Sequence, residues 1–288
     1  MLMMNHLLAL TPNITVNLVY TVAQITPGEV HRAIETRVDP RSHTINLARR
    51  LPDCSVEIAG FVGQVTAEHL IGYFKEQGFP GHYVICPGET LNNVWVNEQS
   101  GRQTLFTGQG LTVTPESVTH LAAMVADVNH RFDWVLFGGD VPPGAPAEQY
   151  IEVLQAARPA LCAVIADGPV LPYLAHQQPH LLYLTPARSG QLLGDRISSV
   201  DAAKAACTQI MDWGVKNLVI DLNGLTWVGS NGTQCWSASK AQITGSSETG
   251  AEAALGLVPI LSALMEGRTL DEGLRAAAAS DTTVFEAL

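Results

Sequence analysis

Short apolar runs alternate along the chain with longer stretches of helical spacing. His6–Leu10, Val56–Gly60, Tyr83–Cys86, Trp134–Phe137, Leu161–Ala166, Leu181–Leu184 and Leu218–Asp221 have the length of buried strands. Ala67–Gln77, Pro115–Asn129, Ala147–Ala156, Asp201–Trp213 and Ala251–Glu266 carry the helical pattern. Thr114 before Pro115 marks a helix start, because the hydroxyl caps a free N–H and proline suits the first turn. Pro259 removes a donor from the last helix and predicts a kink there. Ala276–Ala279 predicts a helix packed closely on the sheet. This alternation predicts a mostly parallel sheet covered by helices on both faces. Val16–Val38 and Asn92–Leu105 break the pattern. They read as short strands of mixed polarity and predict a small antiparallel β flap, formed by about residues 14–38 and 91–106. With no internal repeat or low-complexity linker, residues 1–288 read as one α/β domain with a lid.

Composition narrows the function classes. The 288 residues are 47% hydrophobic and 15% charged, which excludes a disordered chain. With 16 basic against 27 acidic residues the net charge is −11, which disfavours binding to nucleic acid or an anionic membrane. The longest span candidate, Ala253–Met265, is too short to cross a bilayer. Met1–Leu10 is apolar, but no Lys or Arg precedes Arg32, so it predicts a first strand in a cytoplasmic protein and not a secretory signal. Cys54, Cys86, Cys162, Cys207 and Cys235 show no C-x-x-C spacing and read as reduced core thiols.

Several segments in order resemble one family. Thr11-Pro12-Asn13-Ile14-Thr15-Val16-Asn17 sits where the family has T-x-N-P-A-x-D, and Pro27-Gly28-Glu29-Val30-His31-Arg32 is similar to P-G-E-x-x-R. The stretch from Asp39 to Arg49 overlays D-P-G-G-K-G-I-N-V-A-R, and Gly60-Phe61-Val62-Gly63 overlays G-F-x-G. Gly88–Asn93 resembles G-E-T-R-x-N, and Gly138–Gly144 resembles S-G-S-L-P-P-G. The chain resembles the PfkB family of ribokinase-like sugar kinases, in the branch of 1-phosphofructokinase and tagatose-6-phosphate kinase. The resemblance implies a ribokinase-like, Rossmann-type three-layer sandwich, with a lid over the sugar phosphate that often pairs with a second subunit. It also implies ATP with Mg2+ as cofactor. In the family a G-A-G-D sequence opens a late helix, its amides hold the transferred phosphate and its Asp takes the proton from the sugar hydroxyl.

The departures fall on chemical positions. With Gly256 taken as the glycine after that Asp, G-A-G-D overlays Glu248-Thr249-Gly250-Ala251, so the base position is Ala251 and only Gly250 survives. Losing a general base costs about 10²–10⁴ in rate. Glu252 and Asp140 are the candidate substitutes. Glycines beside the sugar become Arg41 and Ser42, with His43 in place of the lysine. The Arg of G-E-T-R is Leu91, and the sugar-binding Asp is Asn17. The N-x-x-E that supports magnesium overlays Thr185-Pro186-Ala187-Arg188, and an arginine there would repel a cation. The S-x-G-x-x-G of the nucleotide side keeps only Gly224. Asn46, which contacts the sugar in the family, and Gly139 remain.

The resemblance thus assigns substrate binding to Asn17, His43, Asn46 and Gly139, and nucleotide binding to Gly224 and Gly250. The first reading is a kinase homologue without phosphotransferase activity, which binds a sugar phosphate, a nucleotide or a protein partner. The second is an active ATP-dependent sugar-phosphate kinase with Glu252 or Asp140 as base. The bland alternatives are a surface Arg188 paired with an acid, an exposed loop His43 and a turn-forming Asp140. Exposed edges at Leu18–Val22 and Asn92–Val96 predict a homodimer through the flap.

Overall fold

A computed structural model describes residues 4–41, 43–240, 256–278 and 284–287. Among these a ten-stranded sheet forms the centre and a four-stranded sheet lies beside it. The chain enters at β1 (Asn5–Asn13), third from one edge of the large sheet. It next adds β4 (Cys54–Gly63) and β5 (Gly81–Cys86) on one side. It then crosses back to add β8 (Trp134–Gly139), β9 (Leu161–Ala166), β10 (Leu181–Leu184) and β11 (Leu218–Asp221) on the other. All these neighbours pair in parallel. The order of addition reverses between β1 and β8, and such a switch point leaves a crevice at the carboxyl ends of the strands. Beyond β11, β12 (Thr226–Ser230), β13 (Cys235–Ser239) and β14 (Val284–Ala287) run antiparallel.

The apolar runs form central strands because both sheet faces are covered. Leu8 and Leu10 of β1 pack on one side with α3 (Pro115–Val128), α4 (Tyr150–Ala156), α5 (Leu171–Ala175) and α7 (Val200–Met211). Leu7 and Ala9 pack on the other with α1 (His43–Ala48), α8 (Leu257–Met265) and α9 (Leu270–Ala278). On that same face α2 (Ala67–Glu76) packs Leu70 and Phe74 on Ile58 and Val62 of β4. Period-two alternation thus feeds two cores, which is the expected three-layer sandwich. Thr114 caps α3 as expected, its Oγ1 accepting from the Ser117 N–H at 3.3 Å. No helix among the described residues is long and apolar enough to cross a membrane.

Several sequence expectations need correction. Pro259 is the third residue of α8, within the first turn, where no N–H is needed, so it does not interrupt the helix. The Ala147–Ala156 helix opens as a 3-10 turn over Ala147–Gln149. The flap is mixed and not purely antiparallel. Its strands are β2 (Thr15–Val22), β3 (Glu35–Arg41), β6 (Leu91–Glu98) and β7 (Gln103–Thr107), in the order β3-β2-β6-β7. The strands β2 and β6 pair in parallel from Thr15↔Leu91 onward. The reason is topological: both leave the carboxyl edge of the main sheet, one after β1 and the other after β5, so they run the same way. For the same reason Leu18–Val22 and Asn92–Val96 are interior strands, and the edges are β3 and β7.

Candidate active site

The carboxyl ends of the parallel strands define one edge, and the lid strands rise from it. Under the lid, Thr11 and Asn13 end β1. Gly60 lets β4 approach so closely that any side chain there would collide with the Thr11 carbonyl. At Gly63 a side chain would meet the Glu89–Thr90 backbone, and the Thr90 Oγ1 there accepts the Gly63 N–H at 2.9 Å. The helix α1 begins at His43 and brings Thr44 against Gly138 of β8, which has no room for a side chain beside the Thr44 hydroxyl. Asn46 lies half-buried on the same helix. In the lid, Asn17 Oδ1 accepts from Asn93 Nδ2 and from Trp95 Nε1, each at 3.3 Å. Three side-chain oxygens on this side are buried with no hydrogen-bond partner: Thr11 Oγ1, Thr44 Oγ1 and Asn93 Oδ1.

Across the switch point the polar groups close on one another. The Asp167 carboxylate, just after β9, takes two bonds from Arg188, Nε at 2.6 Å and a terminal nitrogen at 2.8 Å. Arg188 lies in the first turn of α6 (Pro186–Leu193), capped by Thr185, and is only 7% exposed. It is paired with an acid, as the bland reading held, but it is buried. A two-point fork is the geometry that lets a guanidinium leave water. Asp140 follows β8. Its Oδ1 accepts from the Val141 N–H at 2.8 Å, and its carboxylate lies over Gly168. Burial and then the Asp167 charge push its pKa up, against the Val141 bond.

At the end of β11, Asp221 is buried. Its Oδ1 accepts the N–H groups of Asn223 at 3.0 Å and Gly224 at 2.6 Å, and its Oδ2 takes the Tyr183 hydroxyl. Asn223 Oδ1 accepts the next two amides, Leu225 at 2.9 Å and Thr226 at 2.7 Å. Burial raises the Asp221 pKa, and these bonds oppose it. Gly224 has φ +77, so it takes the left-handed position of this turn. Its N–H already has a partner. Four successive amides are therefore bonded within the turn, and they do not fit a nucleotide phosphate. Gly256, ahead of α8, packs against the Trp227 indole.

The structure thus brings Asn46, Gly139 and Asp140 to one edge, with Asn17 in the lid above it and Gly224 farther along. His43 opens α1. Glu248, Gly250, Ala251 and Glu252 lie outside the described residues. Sequence reasoning did not single out Thr44, Asp167, Tyr183 or Asp221 as site residues, and it carried Thr11 only as part of a motif. An available signal was the acid that ends each of two apolar runs, Ala166-Asp167-Gly168 and Ile220-Asp221-Leu222. The carboxylate at Asp167 is already engaged by protein. It is bound to a buried guanidinium, so a magnesium ion at that carboxylate would have to displace the pair.

No family model matches the chain. It is 25% identical over 259 residues to 1-phosphofructokinase of Escherichia coli, covering 86% of this chain and 81% of that one. It is 25% identical over 270 residues to D-tagatose-1-phosphate kinase of Klebsiella oxytoca, covering 86% and 82%. Its fold matches that of Escherichia coli phosphofructokinase-2 in complex with fructose-6-phosphate. There the TM-score is 0.80 and the identity 21%, over 96% of this chain and 92% of the other.

Proposed function

We propose that this chain, a PfkB-family carbohydrate-kinase homologue similar to the 1-phosphofructokinases, keeps its cleft as a binding site for a sugar phosphate and has lost phosphoryl transfer. The observation that carries the reading is the Asp167–Arg188 pair. A carboxylate at the carboxyl edge of the sheet is neutralised by an arginine that is itself buried. Any metal there would have to displace a two-point ion pair and leave a buried cation alone. The closed turn at Asp221–Thr226 and the overlay of Ala251 on the base position support the same reading. The sugar side differs. It keeps Asn17, Asn46 and Gly139, and the half-buried side-chain amides of the two asparagines suit a polyhydroxylic ligand.

Two calorimetric titrations and one assay test this. Tagatose 6-phosphate, fructose 6-phosphate and fructose 1-phosphate are titrated with and without magnesium, and ATP likewise. ADP release is followed with each sugar phosphate. The expected result is a sugar-phosphate isotherm indifferent to magnesium, with no ADP release. Turnover at ordinary kinase rates, of the order of 1–100 s⁻¹, would overturn it.

One observation favours an active enzyme as a second reading. Asp140 is exposed at the edge beside Gly139, with its pKa raised by burial and by Asp167. A carboxylate tuned upward there suits a base. If ADP release is found and Asp140→Asn abolishes it, this reading holds.

Homodimerisation through the lid belongs to the same proposal. On one lid face Val38 is 56% and Phe106 is 60% exposed, beside half-buried Leu18, Tyr20, Val94 and Val96. Contiguous exposed apolar strand surface of this kind is usually covered by a partner. Escherichia coli phosphofructokinase-2 has a tetrameric form. A monomeric mass at micromolar concentration would contradict a dimer.

A further inference from the structure

The two faces of the lid differ in kind. One carries Val38 and Phe106, the surface proposed above to meet a second copy. The other carries Asn17 of β2 and Asn93 and Trp95 of β6, with Leu105 in register beyond them on β7. Asn17 stands directly across from Asn93, and Val19 across from Trp95, so the three polar side chains share a face. Val16 turns the other way, into the core with Ile45 and Val62. Asn17 therefore faces away from the packed root of the lid, and it is half-buried.

The groups on this face fix one another. An indole N–H can only donate, so the Asn17 atom that Trp95 Nε1 meets at 3.3 Å is the oxygen. That decides which way round the Asn17 amide stands. Its Oδ1 takes the Trp95 N–H and an Asn93 N–H together, which occupies both lone pairs. Its Nδ2, on the other limb of the amide, has no partner among the described residues. Asn93, obliged to donate, keeps its Oδ1 buried and unpartnered. Turning Asn17 round would give that oxygen an N–H, but it would also set Nδ2 against the indole N–H. Trp95 selects between the two arrangements.

We propose that Trp95 is a positioning residue of the cleft. It locks the Asn17 amide with the nitrogen free, so that the lid meets its ligand as a hydrogen-bond donor and selects a sugar-phosphate oxygen that accepts. The inference rests on the sugar-side reading above and adds a polarity to it. The aspartate of the related motif T-x-N-P-A-x-D, when ionised, can only accept. The same place in the cleft therefore reads opposite halves of a hydroxyl group: the lone pair in this chain, the proton where a carboxylate stands. Asn17→Asp is nearly isosteric. It keeps an oxygen for both lid bonds and reverses only the free end.

The test is calorimetry on the full-length protein. It uses whichever of tagatose 6-phosphate, fructose 6-phosphate and fructose 1-phosphate binds, and analogues of it with each hydroxyl in turn replaced by hydrogen or by fluorine. Hydrogen neither donates nor accepts, whereas a C–F group accepts weakly and cannot donate. At one position fluorine should bind within about threefold of the parent where hydrogen loses about tenfold. In Asn17→Asp, fluorine at that position should fall to the level of hydrogen. Trp95→Phe should weaken the parent about two- to tenfold and narrow the gap between fluorine and hydrogen, because the freed amide can present either end. On the Asn17→Asp background, Trp95→Phe should leave the fluorine pattern alone, since a carboxylate has no nitrogen to orient. A role confined to packing would not produce that difference. If no parent sugar phosphate binds the unmodified protein, the sugar-side reading fails and this inference falls with it. If the parents bind and the fluorine pattern is indifferent to Asn17→Asp or to Trp95→Phe, the sugar-side reading stands and Trp95 does not set its polarity.

Discussion

The two sides of the cleft handle their polar groups in opposite ways. Under the lid, Thr11 Oγ1, Thr44 Oγ1 and Asn93 Oδ1 are buried without partners. Across the switch point, Asp167, Asp221 and the amides of residues 223–226 are all bonded to protein groups. An unpartnered buried oxygen costs a folded protein about 1–3 kcal/mol, a penalty this side carries in its closed, ligand-free packing. A group already bonded internally must be released before it can serve a ligand. The contrast separates a side with polar groups left open from a side whose polar groups are bonded within the protein.

The largest expected effect comes from opening the closed side. Arg188→Met leaves Asp167 without its counter-charge, and the Asp167 side chain is 35% exposed, so water screens part of the loss. We expect a destabilisation of about 2–4 kcal/mol in urea denaturation. The double variant Arg188→Met/Asp167→Leu removes both charges and should regain most of it. A double variant as unstable as the single one would show that the pair is not what holds this edge.

Next in size is the floor of the open side. Gly60→Ala places a methyl against the Thr11 carbonyl, where only backbone can give way. We expect a loss of about 1–3 kcal/mol, together with weakened sugar-phosphate binding, because β1 must move. Gly139→Ala is the control. The position has φ +81 but faces open space, so only backbone strain of about 1–2 kcal/mol applies. If Gly139→Ala proved the worse of the two, the close approach of β1 and β4 would not be what shapes the floor.

The seven parallel strands were legible because both faces are buried and their apolar runs are continuous. The strands β12 and β13 were not. Their residues, such as Thr226, Gly229, Ser237 and Ser239, are small and polar, and only the Asn231-Gly232 pair between them carried a hairpin signal. The lid was legible as strands but not in its pairing, since parallel β2 and β6 are brought together by where β1 and β5 end. At the site, motif overlay led to Asn17, Asn46, Gly139 and Asp140, which resemble or abut family positions. The overlay crossed Thr44 and Asp221 only as departures from glycine positions, and it gave no sign of Asp167, whose importance lies in its bonds to Arg188. Arg188 shows the limit best: its identity reads as a charge that would repel a metal cation, but its burial depends on Asp167, 21 residues earlier.

A smaller effect with a revealing sign is expected on the open side. Thr44→Val exchanges an unpartnered buried hydroxyl for a methyl of similar shape. The ligand-free protein should gain about 0.5–1 kcal/mol in urea denaturation, since the group removed was unsatisfied. Sugar-phosphate affinity should change by less than about twofold in calorimetry, because the Thr44 hydroxyl is shut off from the cleft. A loss of stability would mean that the hydroxyl is not orphaned and that the contrast between the sides is weaker there.

The smallest effect is a change of slope on the closed side. Asp221 keeps Asn223, Gly224 and Tyr183 in place, and burial raises its pKa above the unfolded value. The folded state therefore holds this proton to a higher pH than the unfolded chain does. The stability linked to it is fully present below the unfolded carboxylate pKa of about 3.9 and is lost as pH rises through the folded value. Asp221→Asn keeps Oδ1 as acceptor for the two amides, turns an N–H towards the Tyr183 hydroxyl and carries no titrating group. Compared by urea midpoint, the wild-type protein should lose ground to Asp221→Asn as pH is raised from 4 to 7. Parallel curves would mean that the hydrogen bonds of the turn fully offset the burial of the carboxylate. The closed side would then hold its charge at no cost, and the pressure that separates it from the open side would have to lie in Asp167–Arg188 alone.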